Sequence, residues 1–387
     1  MSRTAQTFAP PVMEARRWLD GVTFSDDRPL INVSQAAPME PPHPDLRAAM
    51  ADALEDTATH LYGPVLGLPD LRAELAAQWS SAYGGQVTAD QVAITSGCNQ
   101  AFCAAISALC GEGDEVIVPT PYYFNHRMWL DMAGVATVPL PCGAGLIPRA
   151  EDAAERITER TRAIVLVTPN NPTGTEYPAA TLRAFYELCA AQGIALIVDE
   201  TYRDFHSAPG APHDLFTSDD WPDTFIHLYS FSKAYRLTGH RVGAIVTSAS
   251  RMAEVEKYLD TVSVCANQLG QRAALWGMQN LGQWLAGERD EVLARRAAIE
   301  AEFPRLAAKG WELCGVGAYF AYVRFPFADR SDILAQKLVR QAGVLCLPGT
   351  MFDVDGAGHA ELRIAYANIN ADEITQLFDR LEEFHPE

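Results

Sequence analysis

Six short, nearly continuous apolar runs recur along the chain, at Val92 to Thr95, Glu115 to Val118, Ala163 to Thr168, Ile194 to Val198, Phe225 to Tyr229 and Val242 to Val246. A strand with one wet face alternates apolar and polar residues; these runs do not, so each reads as a strand covered on both faces. Between them lie helix-like stretches such as Pro178 to Gln192, where Leu182, Phe185, Leu188 and Cys189 recur at spacings that keep them on one face of a helix. Strands alternating with helices predict an α/β fold, a mainly parallel sheet between two helical layers. In such a sheet, ligands gather outside the carboxyl ends of the strands.

From about Arg251 the pattern turns to long helical sequence, and beyond Trp311 to mixed strand and helix ending near Phe384, which predicts a second, smaller α+β domain. The proline-rich stretch Pro38 to Pro44 reads as an arm or linker. A chain of 387 residues, 48% hydrophobic, is long enough for both cores. Its net charge of −19 argues against nucleic acid and against anionic membrane surfaces as partners, so any small anion must be held by locally placed cations. The eight cysteines are scattered, with no CxxC and no zinc-like spacing, and read as reduced thiols with no metal site. The N-terminal sequence has no apolar core followed by a cleavage site, and no apolar run reaches the length of a membrane span. Both observations point to a cytoplasmic protein.

The loop "SFSKAYRLTGHRVG", from Ser230 to Gly243, sets Lys233 among small, hydroxyl and glycine residues. A lysine attacks a carbonyl only as the free base, and partial burial beside other cations favours that form. Ser230 supplies a hydroxyl, Arg241 a planar fork suited to phosphate, and Gly239 and Gly243 allow close backbone approach, so the loop suits a phosphorylated carbonyl ligand. A lone lysine is more commonly exposed, and the reading gains its weight from company. Asp199 follows the apolar run "IALIV" and either holds a cationic group, such as a protonated pyridine nitrogen, or caps a following helix. Asn171 stands in "NNPTG", whose Pro172 and Gly174 are accounted for by a tight turn. Gly97 and Cys98, with Ser96, open a helix whose N-terminal amides can hold an anion. Tyr122 and Tyr123 follow another strand, to stack on a planar ligand or to fill the core. His60, His126 and His240 show no metal-ligand spacing.

Taken in order, "YGPVLGLPDLR", "SGCNQA", "PTPYY", "NNPTG", "VDETY", "SFSKAYRLTGHRVG" and "LRIAYA" resemble the fold-type I pyridoxal phosphate enzymes, specifically the class I/II aminotransferases, over nearly the whole chain. The resemblance implies an aspartate aminotransferase-like fold: a three-layer αβα large domain at 46–285, a smaller α+β domain at 286–387, and an N-terminal arm at 1–45 that joins the small domain. It implies pyridoxal 5'-phosphate carried on Lys233 as an internal aldimine, Asp199 paired with the pyridinium nitrogen, and Asn171 and Tyr202 on the ring's phenolic oxygen. By the same likeness Tyr123 stacks on the ring, and Ser230, Arg241 and the amides of Gly97 and Cys98 hold the phosphate. Tyr62 resembles a residue that reaches the phosphate across a dimer interface, which implies a homodimer with shared sites. Arg363 resembles the fork for the substrate α-carboxylate, with Asn171 beside it and Ala36 where relatives often carry glycine. The implied reaction is ping-pong transfer of an amino group from an L-amino acid to a 2-oxo acid, with Lys233, Asp199 and Tyr202 as the catalytic residues. Cis peptides are expected before Pro121 and Pro172. Asn99 stands where dicarboxylate-specific relatives have lysine, and no other distal cation is visible, so neutral or aromatic donors are expected. The alternatives are a C–S β-lyase of the same fold and a non-catalytic cofactor-binding regulatory module; the chain's acidity and length speak against the second.

Overall fold

The computed structural model describes residues 2–354 and 357–386. Among the described residues thirteen strands follow one another: β1 Ile31–Asn32, β2 Val92–Thr95, β3 Glu115–Thr120, β4 Ala136–Pro141, β5 Thr161–Val167, β6 Ala195–Asp199, β7 Phe225–Ser230, β8 Gly243–Val246, β9 Glu312–Gly317, β10 Phe320–Arg324, β11 Val344–Leu345, β12 Leu347–Pro348 and β13 Glu361–Ala365. Seven form one sheet in the order β2-β8-β7-β6-β5-β3-β4. Only β8 runs antiparallel to its neighbours β2 and β7; the other pairs are parallel.

The apolar runs become strands because both faces of the sheet are covered. Along β6, Leu196 and Val198 pack into a core with Leu71, Trp79 and Phe185, while Ala195 and Ile197 pack on the opposite side with Phe102, Leu130 and Leu259. The period-two alternation of a strand divides them, and each buried aliphatic side chain contributes about 1.5–3 kcal/mol. The expected helix forms over Ala179–Gln192 and ends where Gly193 takes a left-handed turn.

Four strands, in the order β12-β13-β10-β9, build a smaller antiparallel sheet. Its core joins Phe320, Val323 and Ile364 to Ile299 and Phe303 of the long helix Gly282–Ala307 and to Leu377 and Phe378 of the helix Ala371–Glu383. β1 pairs in parallel with β11, so Ile31 lies beside Val344. Residues 33–43, which include the proline-rich stretch, carry no helix or strand before the helix Pro44–Ala53. The peptides before Pro121 and Pro172 are cis, as expected, and so is the one before Pro169. No helix among the described residues is long and apolar enough to cross a membrane.

Candidate functional site

Loops leaving the carboxyl ends of β3, β5, β6 and β7 line a cavity of about 470 Å³, walled elsewhere by the helix Pro11–Arg17, by Gln35 to Ala37 and by Arg363 of β13. β7 ends at Ser230, which caps the short helix Phe231–Ala234 by accepting from the Ser232 N–H at 3.3 Å. Lys233 therefore stands just past a strand end, and its Nζ donates to the Ala36 carbonyl at 2.5 Å. It keeps some accessible surface because it lines the cavity, yet protein crowds its amine. Burial, then the charges of Arg241 and Arg363, pull it from 10.5 to about 7. A lysine so placed offers a free base at neutral pH.

Asp199 closes β6 and is buried. Burial alone would raise its carboxyl, but His126 and the hydrogen bonds from Thr201 outweigh that and hold it below the usual range. The Thr201 N–H donates to it at 3.0 Å, so the turn-capping role and the ligand-facing role coexist. His126 Nε2 lies 3.3 Å from Asp199 Oδ2, near enough for charge attraction but off the line of a hydrogen bond. The imidazole stacks on Phe102 at 3.9 Å between ring centres. Sequence reasoning set His126 aside for want of metal spacing. The signal was there: it sits three residues after Tyr123, the spacing that brings side chains to one face as the helix Phe124–Ala133 begins. Tyr202, three residues past Asp199, is buried, and burial pushes its phenol well up, keeping a neutral O–H donor.

Gly97 has φ +90° and precedes the helix Cys98–Leu109. A Cβ at Gly97 would overlap the Arg241 guanidinium, and one at Gly243 would overlap the backbone of Gly97 and Cys98. Glycine at both positions lets an arginine meet a helix N-terminus, an arrangement suited to a phosphate. Arg241 is held with φ 53° and donates to the Thr238 carbonyl at 3.0 Å. Ser230, Ser232 and Thr238 add hydroxyls to the lining, and the buried Cys98 adds its thiol.

Arg363 is buried in β13 over the rings of Phe320 and Phe352. It donates to Asn171 Oδ1 at 3.0 Å and to the Ser34 carbonyl, and its Nε has no partner among the described residues. Burial lowers it to about 10, so it stays cationic at neutral pH. A cationic fork that lines the cavity fits a small carboxylate. The Tyr123 hydroxyl donates to Asn99 Oδ1 at 3.3 Å and accepts from Asn125 at 2.9 Å, holding its ring at the cavity wall.

The structure thus gathers Ala36, Cys98, Tyr123, Asn171, Asp199, Tyr202, Ser230, Lys233, Arg241 and Arg363 around one cavity, with Gly97 against Arg241. Tyr62 is not in the lining and is 84% exposed. One expectation is corrected: a further cation is present. Arg16 lines the cavity and donates to Gln35 Oε1 at 2.6 Å. It arrives from the N-terminal helix through tertiary folding, which no local pattern announces. The residues fit a pyridoxal phosphate: an amine near neutrality, an ionised buried carboxylate for a ring nitrogen, and an anion cradle that a Cβ would fill.

Residues 28–381 match the protein family described as aminotransferase class I and II. An arginine–pyruvate transaminase of Pseudomonas aeruginosa is 33% identical over 329 residues, covering 83% of this chain and 81% of its own. An aromatic aminotransferase of Arabidopsis thaliana is 28% identical over 98% of this chain and 94% of its own length. Among solved structures, the N-succinyldiaminopimelate aminotransferase from Mycobacterium tuberculosis is similar with a TM-score of 0.89 at 25% identity, covering 99% of both chains.

Proposed function

This chain belongs to the class I and II aminotransferases, which depend on pyridoxal phosphate, and we propose how its own residues divide the transfer of an amino group between an amino acid and a 2-oxo acid. The observation that carries the assignment is the convergence of Lys233, Asp199 and Arg363 on one cavity. Bound there, pyridoxal phosphate supplies the electron sink that makes an amino acid's α-proton removable. Lys233 Nζ would hold the cofactor, and once an incoming amino acid has displaced it the freed amine would take the proton from the substrate Cα; an amine near 7 is matched to that exchange at neutral pH. Asp199, held ionised with the help of His126, would keep the ring nitrogen protonated. Asn171 and Tyr202 line the cavity and would donate to the phenolic oxygen, and Tyr123 would supply the ring that stacks on the cofactor. Ser230, Arg241 and the amides of Gly97 and Cys98 would hold the phosphate. Arg363 takes the α-carboxylate bidentately, with Asn171 and Ala36 beside it, and fixes which Cα–H points at Lys233.

The side-chain part of the pocket is built from Pro10, Pro11, Val12, Met13 and Phe124, with Asn99 at the wall and Arg16 engaged by Gln35, which supports neutral or aromatic L-amino acids as donors while leaving one cation within reach of an acidic side chain. A ping-pong cycle follows from a single carboxylate fork serving amino acid and 2-oxo acid in turn. A homodimer is part of the same reading. Tyr62 and Leu61, 84% and 61% exposed, lead into Gly63, which lies against Gln268 at the start of the helix Gln268–Asn280, and the exposed Val262 and Val264 precede that helix. These apolar side chains are suited to a second copy, bringing Tyr62 to its neighbour's phosphate. Residues 1–45 form the arm of the small domain, 46–285 the cofactor domain and 286–387 the small domain. Met1 and Glu387 lie outside the described residues, and the helix Gly282–Ala307 spans the second boundary. The charge and the eight free cysteines favour the cytoplasm.

The test mixes holoprotein with single L-amino acids and follows the bound cofactor's absorbance. Neutral and aromatic donors should change it, and a 2-oxo acid should restore it. Release of pyruvate and thiol from cystathionine with no acceptor present would favour elimination over transfer.

A further inference from the structure

Immediately after Asp199 the chain carries a second buried carboxylate that the transfer reaction does not use. Glu200 is fully buried, and strand alternation turns it to the face opposite Asp199. Its Oε2 meets three donors: the Tyr83 hydroxyl at 2.5 Å, His227 Nε2 at 2.8 Å and His213 Nε2 at 3.2 Å. The imidazole tautomers follow from their other nitrogens. His227 Nδ1 accepts from the Trp79 indole N–H at 3.2 Å, and His213 Nδ1 accepts from the Leu215 N–H at 3.2 Å. Both rings therefore present Nε2–H to Glu200 and are neutral. The nearby cation is Arg203, whose guanidinium lies over the rings of Trp79 at 4.1 Å and Tyr83 at 5.1 Å.

Stability alone gives little reason for such a group, because a buried charge can often be replaced by apolar side chains without loss. Its place in the sheet supplies a reason. β6 delivers Asp199 and β7 leads to Lys233, and the two strands pair with Val198 beside His227 and Asp199 beside Leu228. The Glu200 N–H donates to the Leu228 carbonyl at 2.9 Å, and the Glu200 carbonyl accepts from the Arg203 N–H at 3.0 Å across the turn that holds Tyr202. The Glu200–His227 bond is thus a second tie between the strands that carry the ring-nitrogen partner and the lysine, on the side away from the cavity.

We propose that Glu200, through His227, His213 and Tyr83, is a positioning residue that sets Asp199 and Tyr202 relative to Lys233. The inference rests on Asp199 serving the cofactor's ring nitrogen. Glu200→Gln keeps the shape and removes the charge. It should lower kcat about tenfold with the amino-acid KM within about twofold, and it should move the pH at which the bound cofactor's absorbance changes by about half a unit. Tyr83→Phe removes one donor from the edge of the network without touching either strand; it should shift the absorbance midpoint in the same direction by a smaller amount, and it decides the matter alone if Glu200→Gln does not fold. Unchanged kcat and midpoint in the folded variants, with only a lower Tm, would overturn the proposal. Asp199→Asn serves as the control. If it leaves turnover and absorbance intact, the assignment of Asp199 has failed; if it abolishes turnover while the Glu200 and Tyr83 variants behave as wild type, only the positioning role has.

Discussion

Arg363 and Arg380 are both buried arginines of the C-terminal part of the chain, and neither faces a carboxylate. Arg380 donates to the carbonyls of Pro29 at 2.7 Å, Gly343 at 3.0 Å and Ala342 at 3.3 Å, tying the approach to β1 to the turn before β11. Arg363 meets a side-chain amide and one carbonyl, keeps an unpartnered Nε and opens on the cavity. Both are buried; what differs is the surroundings, since Arg380 sets one nitrogen, Nη1, among three backbone carbonyls and Arg363 lines the cavity. A buried cation clasped by backbone carbonyls away from the cavity is a fastener, whereas one that lines the cavity is a receptor. Lys233, with one carbonyl partner, belongs with Arg363.

The sharpest way to break this division is to exchange the two kinds of consequence. Lys233→Ala should reduce turnover by about 10⁴-fold, measured in single-turnover transfer, with the fold intact by circular dichroism. Arg363→Ala should raise the amino-acid KM about a hundredfold while cofactor affinity stays constant; unchanged amino-acid affinity would return Arg363 to the fasteners. Arg380→Met should do the reverse, costing about 2–3 kcal/mol in denaturant unfolding with kcat unaltered at 25 °C, and a lost kcat there would dissolve the distinction. A further effect concerns pH. Folding lowers Lys233 from 10.5 to about 7, so the unfolded chain binds the proton more tightly and the native state is penalised. That penalty is complete below about pH 7, where both states are charged, and shrinks as pH rises towards 10.5. Lys233→Met should therefore raise the Tm of the cofactor-free protein, most at pH 6 and least near pH 10.

The sheet was legible because double burial writes itself as unbroken apolar sequence, and each of the six runs became a strand within a residue or two. β4 escaped because it is an edge strand: "ATVPLP" carries two prolines and is mostly half-exposed, so it shows no unbroken apolar run. The antiparallel direction of β8 was not readable, since direction leaves no mark on a short buried run. At the site, loops at strand ends could be read from their residue types. Arg16 and the Glu200 network could not, because their meaning comes from partners far away in sequence: Gln35 for Arg16, and Tyr83, His213 and His227 for Glu200.

The pairing of β1 with β11 also orders events during synthesis. All seven strands of the large sheet have left the ribosome once Val246 emerges, so the lysine loop has its complete scaffold early. Ile31 must wait for Val344, and the Ser34 carbonyl for Arg363, while everything between is translated. A nascent chain can therefore shape the cofactor half of its cavity well before it owns a place for a substrate: Arg3 and Thr7 can already reach Ala133 and Asp131, while Ile31 to Ser34 find their partners only near the end.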